Sequence, residues 1–167
     1  RNPVTGEFER WVRLALRHLE RVPLQTPYPD VVGLVRDVVR TVKRVSDVVV
    51  DATGVGSPVV DLLRRADLKC SVVAVTITSG DSESADGSGY RVPKRDLMTG
   101  LQVAFEKRWL GVCDCGEATD ALLEELRATR MTVTANGTVR WGASRGHDDL
   151  VMAAALAWWR VRRVWRV

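Results

Sequence analysis

Two short apolar runs most constrain what this chain can fold into. The first, Val48-Val49-Val50, ends at Asp51, and the second extends from Cys70 to Ile77. Continuous runs of branched apolar residues are typical of strands that are buried on both faces of a sheet. Between them, Ser57 and Pro58 have the residue types of a helix start, and the periodicity of 59–65 predicts the helix itself. The chain is therefore predicted to have an α/β fold.

The other segments extend this pattern into one domain over residues 1–167, with a mixed central β-sheet flanked by helices. One or two strands are predicted within 9–24, and further strands at 110–113 and in a hairpin of 131–134 and 138–141. Helices are predicted to begin at Pro29, near Arg95, at Ala118 and at His147, and the first of them has an apolar inner side from Val31 to Val42. The polar segment 78–89 is predicted to be an acidic, mobile loop.

Composition narrows the class of protein. The content of 46% hydrophobic and 28% charged residues is typical of a globular chain, and the longest apolar segment, 150–159, is roughly half of what a bilayer span needs. The net charge of +4 permits a nucleic acid partner without requiring one. Cys113 and Cys115 are too close in sequence for a typical zinc pair, so these cysteines and Cys70 are expected to be free thiols in a reducing compartment.

Asp51 is the first candidate for chemistry, because it stands where a buried strand ends. Open α/β sheets place ligands at the carboxyl ends of their strands. A nucleotide loop is the weaker interpretation, since Gly54-Val55-Gly56 lacks the third glycine of the dinucleotide fingerprint. A structural alternative stays open, in which Asp51 caps its own turn through the backbone N–H of Thr53 or Gly54.

Asp148 and Asp149 form the second candidate, at the start of an apolar helix. Acids at this position also cap helices, and that alternative stays open too. One acid is enough for capping, however, and carboxylate oxygens are the ligands that Mg²⁺ and Mn²⁺ prefer.

Three segments in this order resemble the nuclease domain of phage terminase large subunits. They are VVVDATGVGSPVVDLLR, YRVPKRDLMTGLQVAFE and GHDDLVMAAALAW, and the resemblance covers nearly the whole chain. It implies an RNase H-like fold and metal-dependent cutting of concatemeric double-stranded viral DNA during packaging. The family's first acid lies on the first strand of the sheet, and no matching residue precedes Trp11, so that strand is expected to be missing from this fragment.

The resemblance also implies the roles of the candidate residues. Asp51, with Asp148 or Asp149 or both, would bind Mg²⁺ or Mn²⁺ for two-metal phosphodiester hydrolysis. His147 would orient the attacking water or the scissile phosphate, with a solvent-facing position as the alternative. The implied partners are an ATPase domain, a small terminase subunit and a portal, in the cytoplasm of a host bacterial cell and without a membrane.

DNA contacts are expected from Arg91, Lys94, Arg95 and Arg145, which flank the acidic loop or the acid pair. Such phosphate contacts are independent of DNA sequence. A solvated basic surface is the alternative for each of them. Two other functions remain open: another RNase H-like nuclease of the resolvase or transposase type, and a non-catalytic α/β module that binds a nucleotide or a partner.

Overall fold

The computed structural model describes residues 13–45, 47–54, 56–133, 139–143 and 147–165. The strands are β1 (Leu14–Leu16), β2 (Asp47–Asp51), β3 (Ser71–Thr78), β4 (Ser84–Asp86), β5 (Gly89–Pro93), β6 (Leu110–Val112), β7 (Thr129–Val133) and β8 (Val139–Ala143). The helices are α1 (Tyr28–Thr41), α2 (Gly56–Arg65), α3 (Lys94–Glu106), α4 (Glu117–Ala128) and α5 (Asp149–Trp165).

The main sheet has four strands in the order β2-β3-β5-β4. Strands β2, β3 and β5 are parallel, and β4 is antiparallel to β5, so the sheet is mixed as the sequence predicts. Strands β1 and β6 pair in parallel, and β7 and β8 form an antiparallel hairpin. The carboxyl ends of β2, β3 and β5 lie at one edge of the main sheet, which places Asp51 and the start of α3 at that edge.

Helices cover both faces of β2. Its side chains alternate between the two faces of the sheet, so neighbouring valines enter different cores. Val49 packs into the larger core, which contains residues of α3, α4 and α5. Val48 and Val50 pack into a smaller core with Val32 of α1 and Leu63 of α2. The three valines are nevertheless only half-buried, because β2 is an edge strand of the described sheet. The prediction of two covered faces is right, and that of full burial is wrong.

The larger core fixes the position of α5. Val151 and Ala155 are fully buried, and Trp158 is buried one turn further along the same helix. This stripe packs against α3, α4 and β2. Helix α5 extends past the predicted end at residue 160, as far as Trp165. Among the described helices, none is long and apolar enough to cross a membrane.

The polar segment 78–89 contains a strand, contrary to the prediction of a mobile loop. Asp86 Oδ1 accepts hydrogen bonds from the backbone N–H of Ser88 at 2.8 Å and of Gly89 at 3.2 Å, which closes a tight turn between β4 and β5. A Cβ atom at Gly89 would lie 2.5 Å from the carbonyl oxygen of Ala74, so only glycine permits this approach of β5 to β3. The strand forms through this turn and its pairing with β5, and its own polar residues gave no signal for it.

The prediction of one or two strands within 9–24 is met by one strand, β1, among residues 13–24, while 9–12 lie outside the described residues. Two further predictions need correction. Leu34 and Val42 of the predicted inner side of α1 are 37% and 50% exposed, since the contact with α2 covers a narrower stripe. Cys113 and Cys115, predicted to be free thiols, pair as a disulfide with their Cα atoms 5.9 Å apart. Side chains two residues apart in extended backbone point to the same side, which brings the two sulfurs together. Cys70 is a free thiol, as predicted.

Candidate active site

Asp51 is the last residue of β2, and its turn is tied to the neighbouring strand. Its Oδ1 accepts a hydrogen bond from Thr53 N at 2.8 Å, so the turn-capping contact is present. Thr53 Oγ1 in turn accepts from Ile77 N at 2.8 Å, and Ala52 N donates to the carbonyl of Val75 at 2.8 Å. These bonds fix the backbone around an exposed carboxylate. Capping and a role in the cleft are therefore compatible for this residue.

One cleft between β2 and α5 brings the sequence-predicted acids together. Asp51, Asp148 and Asp149 line it, with a volume of about 470 Å³. Its apolar wall comes from Val49 of β2 and from small and aliphatic residues of α5 such as Met152. Acids almost a hundred residues apart in the sequence thus share one surface, which is the arrangement that the resemblance implies.

Basic side chains contact both acids at the start of α5. Lys94 Nζ lies 2.6 Å from Asp148 Oδ2, and both groups are partly buried. Arg21 Nη1 lies 3.1 Å from Asp149 Oδ2, in a more exposed position. His147 Nδ1 is 4.0 Å from the same Asp149 oxygen, and its ring is largely exposed. Each acid at the start of α5 is therefore paired with a basic side chain.

The donor set fits a hard divalent cation in its chemistry. All three carboxylates face the same cleft and come from rigid elements, and carboxylate oxygens suit Mg²⁺ and Mn²⁺. In the described part of the chain, however, no group of three or more His, Cys, Asp or Glu side chains lies close enough together to hold an ion. In this arrangement the carboxylates of Asp148 and Asp149 are instead paired with Lys94 and Arg21.

Glu125 is a residue that the sequence reasoning missed. It is the buried charged residue of the described chain, at 8% exposure, and it projects from α4 to the start of α5. Its Oε2 accepts hydrogen bonds from Leu150 N at 2.9 Å and from Val151 N at 3.1 Å, and its Oε1 pairs with Arg21. Within the sequence Glu-Glu-Leu-Arg it is indistinguishable from a surface acid, since only the position of α5 buries it.

The cleft is also lined by Asp47, at the start of β2, and by Arg160. Arg160 Nη2 donates to Asp47 Oδ1 at 3.0 Å, and the side chains are 20% and 9% exposed. The hydrogen bond with Asp47 raises the pKa of the Arg160 guanidinium against the opposing effect of burial. Both residues went unnoticed in the sequence, because the pair joins elements more than a hundred positions apart.

The four basic residues predicted to contact DNA are placed differently. Lys94 lies at the acidic cleft, against Asp148. Arg95 pairs with Asp81 at 3.0 Å and with Asp96 at 3.3 Å. Arg91 is exposed on β5 and faces a separate surface cleft. Arg145 lies outside the described residues.

Comparisons with known proteins give matches among solved structures. The structure resembles the large terminase nuclease from thermophilic phage G20c with bound cobalt, with a TM-score of 0.60 and 26% identity over 81% of this chain and 63% of that one. The same nuclease with bound magnesium gives 0.59 and 26% over 81% and 62%. A further structure of that nuclease, at 24% identity and a TM-score of 0.55, supports the fold.

No family model matches the chain, and no curated protein matches it. The chain spans about 63% of the length of the solved nuclease that it resembles. The mixed sheet flanked by helices, and its agreement with these structures, confirm the fold class and the resemblance that the sequence indicates. The chain has the RNase H-like α/β fold of phage large terminase nuclease domains.

Proposed function

We propose that residues 1–167 are a nuclease domain of a DNA-packaging terminase and that they hydrolyse phosphodiester bonds of double-stranded DNA. The observation that carries this proposal is the shared cleft. Asp51, Asp148 and Asp149 line one surface at the carboxyl edge of the sheet, in a fold whose solved relatives are phage terminase nucleases. A binding module without catalysis would have no need to gather these acids on an open surface.

Asp51, Asp148 and Asp149 are the residues that would hold divalent cations, as Mg²⁺ or Mn²⁺. The solved relatives include forms with cobalt and with magnesium, which supports a divalent ion here. When bound, two such ions would activate a water as the nucleophile and stabilise the leaving oxygen. The fixed turn after β2 presents Asp51, and the first turn of α5 presents the acid pair.

Lys94 and Arg21 balance the acids of the cleft. Their positive charges neutralise Asp148 and Asp149 while no ion occupies the carboxylates. Released by ion binding, either cation would be free to contact a phosphate of the substrate. His147, beside Asp149, is placed to contact the water or the phosphate at the mouth of the cleft.

The proposal also includes the other DNA contacts, the partners and the location that the sequence implies. Arg91, Arg95 and Arg145 would add phosphate contacts that are independent of sequence and sensitive to salt. The partners would be an ATPase domain, a small terminase subunit and a portal, and the reaction would take place in the cytoplasm of the host bacterium.

Nicking of supercoiled plasmid DNA tests the proposal. The chain should nick the plasmid with Mn²⁺ or Mg²⁺, and EDTA should stop the reaction. Asp51→Asn should lower the rate at least a hundredfold, roughly the upper end of what loss of an outer-shell partner costs a metal site. Asp61→Asn, the same change on the exposed surface of α2, is the matched control and should leave the rate unchanged.

Equal nicking by the Asp51→Asn chain would exclude Asp51 from the site. A chain that neither nicks DNA nor binds Mn²⁺ would favour the non-catalytic module instead. Cleavage restricted to branched DNA would favour the resolvase type of nuclease.

A further inference from the structure

The first backbone N–H groups of helix α5 are capped by an acid from another helix and not by the N-cap residue itself. The backbone N–H of Met152 donates to the carbonyl of Asp148 at 2.8 Å, which makes Asp148 the N-cap residue and Asp149 the first helical residue. An N-cap side chain ordinarily accepts a hydrogen bond from the second or third helical N–H, here Leu150 or Val151. Both of these N–H groups donate instead to Glu125 of α4.

We propose that Glu125 is a positioning residue: it caps α5 from a distance and thereby leaves the carboxylates of Asp148 and Asp149 available to the cleft. The inference rests on the proposed function, since it assigns a purpose to the acids of that site. The Asp148 carboxylate, which would otherwise serve as the cap, contacts Lys94 and lines the cleft.

Burial makes the cap strong and directional. A buried carboxylate is costly unless its oxygens are satisfied, and Glu125 has backbone N–H groups on Oε2 and a guanidinium on Oε1. The apolar stripe of α5 holds the helix against the core through contacts that have no direction of their own. The hydrogen bonds to Leu150 and Val151 add directional contacts at the end of the helix where the acids stand.

Arg21 extends the effect of Glu125 to the second acid. One arm of its guanidinium pairs with Glu125, and Nη1 of the other arm lies 3.1 Å from Asp149 Oδ2. The planar fork of an arginine holds two such partners in a fixed relation. Glu125 therefore offsets the positive charge of Arg21 beside Asp149, and it also holds the backbone on which Asp148 and Asp149 stand.

Calorimetric titration with Mn²⁺ tests the proposal in the full 167-residue chain. We expect the affinity to decrease in the order wild type, Glu125→Gln, Glu125→Ala. The amide of glutamine retains an oxygen for the N–H groups but loses the charge that offsets Arg21, which then competes more strongly with the ion for Asp149. The alanine variant should bind Mn²⁺ roughly tenfold to a hundredfold more weakly, the usual cost of losing an outer-shell partner. Glu124→Ala and Glu124→Gln, on the exposed side of α4, should bind like the wild type.

Circular dichroism must show that each variant is folded at the temperature of the titration. Wild-type affinity in both Glu125 variants would overturn the proposal. If the alanine variant does not fold, wild-type affinity of the glutamine variant is sufficient to overturn it. If the Asp51→Asn variant still binds Mn²⁺, the proposed metal site is refuted. The capping role of Glu125 is then tested by hydrogen exchange alone.

Amide hydrogen exchange at Leu150 and Val151 tests the capping role of Glu125 directly and needs no bound ion. Their exchange should be at least tenfold faster in Glu125→Ala than in Glu124→Ala, with α3 unchanged as an internal reference. Equal exchange in the two variants would show that Glu125 does not hold the end of α5, and the proposal would fall.

Discussion

The ion pair of Asp47 and Arg160 fastens α5 to the edge strand β2 and offers a quantitative test of the fold. The groups are 3.0 Å apart, and the carboxylate is only 9% exposed. Replacing Asp47 with alanine leaves the guanidinium partly buried, with Tyr90 as a remaining hydrogen-bond partner. The expected result is a marked loss of stability with the fold retained.

The magnitude follows from the burial of the two side chains. Removing one partner of a fully buried ion pair costs about 3–5 kcal/mol. Arg160 is 20% exposed and keeps a contact with Tyr90, so the lower end of that range applies and Asp47→Ala should cost about 3 kcal/mol. The pair of Asp37 and Arg40 on α1 is 3.9 Å apart and about 70% exposed, so Asp37→Ala should cost less than about 0.5 kcal/mol.

Urea unfolding followed by tryptophan fluorescence measures both variants, and Arg160→Met completes a double-mutant cycle. The double variant Asp47→Ala, Arg160→Met should be less destabilised than the sum of the single changes by at least about 1 kcal/mol, because no buried charge is left unpaired. The cost should persist in high salt, since buried pairs are screened little. Strictly additive changes, or equal costs for Asp47→Ala and Asp37→Ala, would show that the buried pair does not stabilise the fold.

Three further outcomes are expected. Gly89→Ala should destabilise the chain by about 1–3 kcal/mol in urea unfolding, because the new methyl group meets a backbone oxygen of β3, whereas Gly87→Ala, in open space, should change it by less than about 0.5 kcal/mol. Lys94→Gln should tighten Mn²⁺ binding in calorimetry, because it removes a competing cation from the acid pair, and Lys107→Gln at the far end of α3 should have no effect. Burial and, less strongly, Asp47 raise the pKa of the Cys70 thiol above its ordinary value of 9.0. Alkylation of Cys70 at pH 8 should therefore be slower in the folded chain than in urea, and it should speed up as the pH rises past 9.0.

Local patterns were sufficient for elements whose burial follows from their own sequence. The run 70–77 and the periodic segment 95–106 correspond within one residue to β3 and α3. Strand β4 could not be found in this way, because Ser84-Ala85-Asp86 is a strand only through its pairing with β5. Local sequence carries no record of that pairing.

The residues of the site also differ in whether local sequence predicts them. Asp51, Asp148 and Asp149 could be singled out because each stands at the boundary of a strongly apolar element. Glu125 could not, since its burial depends on a helix that begins more than twenty residues later. Residues that position a site through long-range contacts leave no local pattern.

Crystals of the chain soaked in Mn²⁺ would locate a bound ion through the anomalous signal of manganese. We expect an anomalous peak in the cleft between β2 and α5, at oxygens of Asp51 and of Asp148 or Asp149, and no such peak in crystals of Asp51→Asn. A peak elsewhere on the molecule, or an empty cleft in a chain that binds Mn²⁺ in solution, would show that these acids do not form the metal site.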